Sequence, residues 1–205
     1  SLSNLAGAVA SCGVIGIIST AQIGYRDQKK KKKPIECNLK AIGEEIAKAR
    51  KIAKCGIIGV NIMVATKKYE EYVKAAVSAG VDLIISGAGL PMTLPELVGN
   101  EKTKIAPIVS SKKSLSVISK YWKKKYDRKP DLVVVEGPEA GGHLGFSKED
   151  LETITKEVYD EEVKAIIELA EEMDTPVVVA GGVYDRSDME HYLEMGAKGV
   201  QMATR

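Results

Sequence analysis

The stretch GPEAGGHLGF, residues 137–146, sets one of only two histidines among glycines, directly after the apolar run LVVV at 132–135. An imidazole titrates near neutral pH and can donate, accept or shuttle a proton. Gly141 and Gly142 remove side chains so that a flat ring can lie against the backbone, and Gly145 frees the chain to turn away. His143 is therefore the candidate catalytic residue, acting on a substrate. His191, inside MEHYLEMG, has no such setting and is expected on a helix surface. A second stretch, VVVAGGVYDRSD at 177–188, has the composition of a phosphate cradle. Gly181 and Gly182 would let backbone amides approach an anion, and Asp185 or Ser187 would cap the helix that follows. QMAT at 201–204 would complete the cradle through the Ala203 amide and the Thr204 hydroxyl. Glu136 and Glu139 are the one pair of carboxylates expected at a strand end, and no group of His, Asp and Glu has the spacing of a metal site. These residues equip a protein-only hydrolase poorly. A bound organic cofactor would supply the missing chemistry.

The elements that must position these residues follow from periodicity. Apolar, β-branched runs at 13–19, 56–64, 82–87, 104–111, 131–137, 175–182 and 199–204 have the length and continuity of strands covered on both faces. Amphipathic stretches at 38–54, 67–80, 157–173 and 185–196 separate several of them; the first puts Leu39, Ile42, Ile46 and Ala49 or Ala53 on one face. The second and last close on glycine, as helix C-termini prefer. Alternation of this kind implies a parallel sheet with crossover helices. Residues 1–13 read as a helix that needs a strand before it, which would make eight strands, the count of a TIM (β/α)₈ barrel. The expected fold is α/β, a single barrel domain over 1–205 lacking its first strand and last helix. The rival, an open doubly wound sheet, lacks an opening GxGxxG turn. On the barrel reading the sites lie at the C-terminal ends of strands, which carry Gln22, Asn61, Glu136, Gly181, Gly182 and Gln201 to Thr204.

Composition bounds the rest. The chain is 44% hydrophobic and 28% charged with a formal net charge of +2, and no apolar run is long enough to span a bilayer. A cytoplasmic setting is expected, without a membrane or a nucleic-acid partner. Lys29 to Lys33 form an unbroken basic run before Pro34, but without interleaved aromatics, and are read as a solvated loop. Cys12, Cys37 and Cys55 share no CxxC spacing and are expected to be small buried hydrophobes.

GVNIMV, IISGAGLP, EGPEAGGHLG, PVVVAGGVYD and GVQMATR, in that order along the chain, resemble the nitronate monooxygenase family, formerly the 2-nitropropane dioxygenases. Flavin-dependent enoyl-ACP reductases share its superfamily. The resemblance implies a TIM barrel that binds FMN, with the phosphate held by Gly181, Gly182 and Gln201, Met202, Ala203 and Thr204. It places Asn61, Glu136 and Gly141 near the flavin, and His143 over the flavin ring, acting on the substrate; Gln22 at a strand end and Gly142 in the glycine loop are further cofactor-binding candidates. Ala203 stands where the family has glycine, and Glu136 where glutamine is common. The implied activity is oxidation of alkyl nitronates with O₂. The alternatives are an enoyl-thioester reductase using NAD(P)H, and a barrel that binds flavin or phosphate without turnover. A homodimer is among the assemblies the resemblance allows.

Overall fold

A computed structural model describes residues 2–27, 29, 32–141 and 145–203. His143, Gly142 and Thr204 lie outside the described residues. By internal contacts the chain divides into two compact units, Ser1–Ile105 and Ala106–Arg205.

The first unit runs α1 (Ser3–Ser11), β1 (Gly16–Ser19), α2 (Pro34–Ala53), β2 (Ile58–Met63), α3 (Tyr69–Ser78), β3 (Leu83–Gly87) and α4 (Leu94–Val98). Its strands pair in parallel in chain order, with Ser19 opposite Asn61 and Asn61 opposite Ile85. The expected stripe of α2 is buried through Ile42, Ile46, Ala49 and Ala53. The helix starts earlier than the periodicity suggested because Pro34 sits in its first turn, where a missing N–H costs nothing. α1 packs tightly on α2: a Cβ on Gly7 would lie 2.7 Å from that of Ile52. The Ser3 amide, unsatisfied at the start of α1, donates to Glu45 Oε2 of α2 at 3.0 Å. Burial pushes the Glu45 carboxyl up, but the Ser3 bonds and Lys48 outweigh it and hold it below the ordinary range. Lys29, Lys32 and Lys33 are exposed ahead of α2, as expected of a solvated run.

The second unit contains β4 (Lys104–Val109, beginning at the unit boundary), α5 (Lys112–Tyr126), β5 (Val133–Glu136), α6 (Lys148–Thr153), α7 (Lys156–Glu171), β6 (Val177–Ala180), α8 (Arg186–Glu194) and β7 (Gly199–Gln201). β4 to β7 also pair in parallel in chain order. Sequential order without reversal is what a (β/α) barrel requires and a doubly wound sheet does not have. Val133, Val134 and Val135 are all buried, so β5 is covered on both faces, which explains its continuous valine run; Val177 and Val179 of β6 are buried beside it. α5 was hidden in the sequence by its lysines. Leu115, Ile118 and Trp122 form its buried stripe, and Ser111 and Ser114 close a capping box at its start.

Cys37 is buried, but Cys12 and Cys55 are exposed just beyond the ends of α1 and α2. The expectation of three buried thiols therefore fails at these two. Among the described residues no helix is long and apolar enough to cross a membrane.

Candidate phosphate cradle and cofactor site

In the second unit, Gly181 and Gly182 follow β6 with φ of +89° and +71°, the left-handed region that glycine adopts without strain. A Cβ on Gly181 would lie 2.9 Å from the Ala140 nitrogen, and one on Gly182 would lie 2.7 Å from Glu139 Oε2. Gly181 is therefore required by its φ and by the close return of the loop after β5, and Gly182 by its φ, since the exposed Glu139 carboxylate can swing aside. Their amides donate to no acceptor among the described residues, so two backbone donors remain for an anion. The register Ala180↔Gln201 sets the end of β7 directly beside this turn. Met202 and Ala203 are exposed there.

α8 begins next to the cradle, and its first turn is closed by carboxylates. Asp185 caps it by accepting from the Asp188 amide at 3.1 Å. Asp188 Oδ2 in turn accepts from the amides of Tyr184 and Asp185 at 2.8 and 3.2 Å. Of the two proposed caps Asp185 serves, and this capping box removes amides that an anion would otherwise use.

Glu136, Ala180 and Gln201 are registered neighbours on three adjacent strands, so their side chains share one face of the sheet. Val134, Val178 and Gly199 lie on that face too; Val134 and Ala180 are buried there, whereas Glu136, Val178, Gly199 and Gln201 are half-exposed. Glu136 forms no hydrogen bond or ion pair with any described residue, and burial alone pushes its carboxyl up from the ordinary range. The chain after it is fixed at both sides. The Gly137 amide donates to the Ala180 carbonyl at 2.8 Å. Ser110 Oγ donates to the Gly145 carbonyl at 3.2 Å. Gly137 also makes room for the Tyr159 hydroxyl, which a Cβ would approach to 2.7 Å. Gly141 is exposed, and a Cβ there would meet nothing within 4 Å.

A cavity of about 650 Å³ adjoins the cradle, between the loop after β5 and helices α7 and α8. Of the expected site residues it brings together only Gly181 and Gly182; its remaining walls include Glu139, Tyr159, His191 and Tyr192. His191 lies on helix α8, as the sequence reading has it, with its side chain 37% exposed. It is half-buried, with Nε2 2.9 Å from Asp160 Oδ2 and 3.0 Å from Lys156 Nζ, and so ties α8 to α7. Its sequence signal, an aspartate and a lysine on another helix, is not local. Burial, followed by the charges of Asp160, Glu139 and Asp188, pushes Tyr192 up to about 12.

In the first unit Asn61 is half-buried on β2, and its carbonyl accepts from both the amide and the hydroxyl of Thr20 at 3.1 and 2.9 Å. That double bond ends β1 and starts the turn in which Gln22 takes a φ of +51°.

An FMN phosphate can be tested against this geometry. The amides without an acceptor among the described residues, the left-handed glycines that carry them, and the adjoining end of β7 fit such a group. Among the described residues no cluster of His, Cys, Asp and Glu could hold a metal ion.

The nitronate monooxygenase family matches residues 1–205. A probable nitronate monooxygenase from Staphylococcus saprophyticus is 34% identical over 74 residues, covering 36% of this chain and 20% of its own length. An isomerase of a phosphoribosylated imidazole carboxamide from Methanocaldococcus jannaschii is 32% identical over 136 residues, covering 63% of this chain and 55% of its own. Among solved structures, the M276A mutant of FabK from Thermotoga maritima superposes with a TM-score of 0.75 at 25% identity, covering 100% of this chain and 57% of that one. A nitroalkane oxidase from Streptomyces ansochromogenes shares the fold, with a TM-score of 0.73 at 19% identity over 98% of this chain and 61% of that one. The chain thus spans little more than half the length of these solved structures.

Proposed function

Because the chain belongs to the nitronate monooxygenase family, we propose that it is an FMN-dependent oxidoreductase that oxidises alkyl nitronates with O₂. The observation that carries this reading is the pair of unspent amides at Gly181 and Gly182, set beside the end of β7 by the register Ala180↔Gln201. The phosphoribosyl group in the name of the archaeal relative also ends in a phosphate monoester, the group such a cradle takes. Gly181, Gly182, Gln201, Met202, Ala203 and Thr204 hold the phosphate, with Glu136, Gly141 and Gly142 beside the rest of the cofactor. FMN supplies the electron transfer between the nitronate and O₂ when bound. The protein's own part is to hold and orient. Gly141 leaves open space at its Cα, and His143 manages the proton of the substrate. Ala203, exposed after β7, keeps the amide that glycine would offer there.

The test is an absorbance spectrum of the purified protein, followed by anaerobic titration with a nitronate and separately with NADH. A flavin spectrum bleached by the nitronate, with O₂ uptake on reoxygenation, is expected. NADH consumption that depends on an enoyl thioester, with no nitronate-dependent O₂ uptake, would reassign the protein as an enoyl-thioester reductase. A yellow protein inert to both would make it a flavin-binding barrel without turnover. A colourless protein that FMN cannot reconstitute would overturn the flavin reading.

A further inference from the structure

Glu136 has a setting that its neighbours do not share. It sits half-buried at the C-terminal end of β5, in one row with Ala180 and Gln201. The backbones of Glu136 and Gln201 are two strand spacings apart, about 10 Å. Between them stands only the methyl of Ala180. Ala180 is buried and its two neighbours are half-exposed, so the row sets an acid and an amide on either side of a small side chain.

No described residue neutralises the acid. β6 and β7 present Ala180 and Gln201, neither of which titrates. The loop that follows β5 presents Glu139, a second carboxylate. α7 presents Tyr159, whose hydroxyl is buried without a partner and is held above its ordinary range by burial, with Glu136 among the adding charges. Beyond it the Asp160 carboxylate is already shared by His191 and Lys156. Every titratable group named around Glu136 is therefore acidic or already paired.

A flat ring laid on this face covers a carboxyl that is already partly desolvated. Burying an unpaired carboxylate is more costly than taking up a proton near neutral pH, so the covered group becomes the neutral acid. As a neutral acid it gains a hydrogen to donate to a ring carbonyl or nitrogen. A glutamine there would donate through its amide at any pH.

We propose that Glu136 holds the cofactor as a neutral carboxylic acid, which makes FMN retention proton-dependent. This rests on the FMN reading above. The linkage has a definite sign. A group whose affinity for protons rises on ligand binding makes binding tighter at low pH, weakening by up to about tenfold per pH unit between its pKa values in the free and the bound protein.

The experiment compares FMN dissociation constants of the wild type and Glu136→Gln, by flavin fluorescence quenching from pH 5 to 9. The FMN phosphate titrates near pH 6 in both, so the ratio of the two constants isolates Glu136. That ratio is expected to rise by tenfold or more across the range, with the variant binding more tightly at the alkaline end. A ratio constant with pH, while both proteins bind FMN, would overturn the role of Glu136 and leave the cofactor reading standing. Failure of both proteins to bind FMN at any pH would overturn both. Thermal unfolding of the two apoproteins shows that each is folded.

Discussion

At the scale of single residues, the glycines around the cradle separate into two kinds. Gly181 has a left-handed backbone and no room for a Cβ, so Gly181→Ala is expected to cost about 1–3 kcal/mol of stability and to abolish flavin retention. Gly141 faces open space, so Gly141→Ala should change stability by less than about 0.5 kcal/mol. Urea unfolding of the two variants checks the pair. If Gly141→Ala still loses FMN while folding normally, its bare backbone serves the ligand and not the fold. The sequence revealed both glycine pairs as a composition, but not this division, because φ and the approach of Ala140 are products of the loop's return. His143 was singled out by its neighbours in sequence. His191 was read as a helix-surface residue, and its partners were not legible because Asp160 and Lys156 lie on another helix.

At the scale of elements, α1 is short and has no side-chain cap of its own. Glu45 of α2 fills that function from outside. Glu45→Ala should therefore loosen the start of α1 and cost about 1–2 kcal/mol at neutral pH, measured by denaturant unfolding. Glu45 is held below the ordinary glutamate range when folded, so its contribution is full above that range. It fades as pH falls through the lowered value, and the gap between wild type and variant should close in acid. Seven strands were legible because valine and isoleucine runs covered on both faces leave a continuous apolar signature. α5 was not, because six lysines crowd a helix whose buried stripe is only Leu115, Ile118 and Trp122. The early start of α2 was missed because a proline after a lysine run reads as a loop, whereas in the first turn of a helix it is at home. The exposed Cys12 and Cys55 show the same limit. Each lies just past a helix, and whether a helix end is covered depends on what packs there.

At the scale of the whole molecule, the family match over the full chain and the parallel strands in chain order support one architecture. What the alternation of strand and helix could supply was which ends of which strands carry the candidate site. It could not supply the register that puts Glu136, Ala180 and Gln201 in one row, because registration depends on contacts between distant segments. The capping box on α8 has a consequence for how the protein meets its ligand in salt. The net charge is only +2, so the molecule as a whole exerts little long-range pull on a dianion. Near the cradle the local field is instead negative, from Asp185, Asp188 and Glu139. Mobile ions screen such charges over about 10 Å at 0.1 M ionic strength. FMN affinity should accordingly hold steady or tighten as ionic strength rises from about 0.02 to 0.3 M, and titrations across that range check it. A cradle built on lysines would let go over the same interval; this one grips through neutral backbone amides against a negative background, and salt removes the background before it touches the grip.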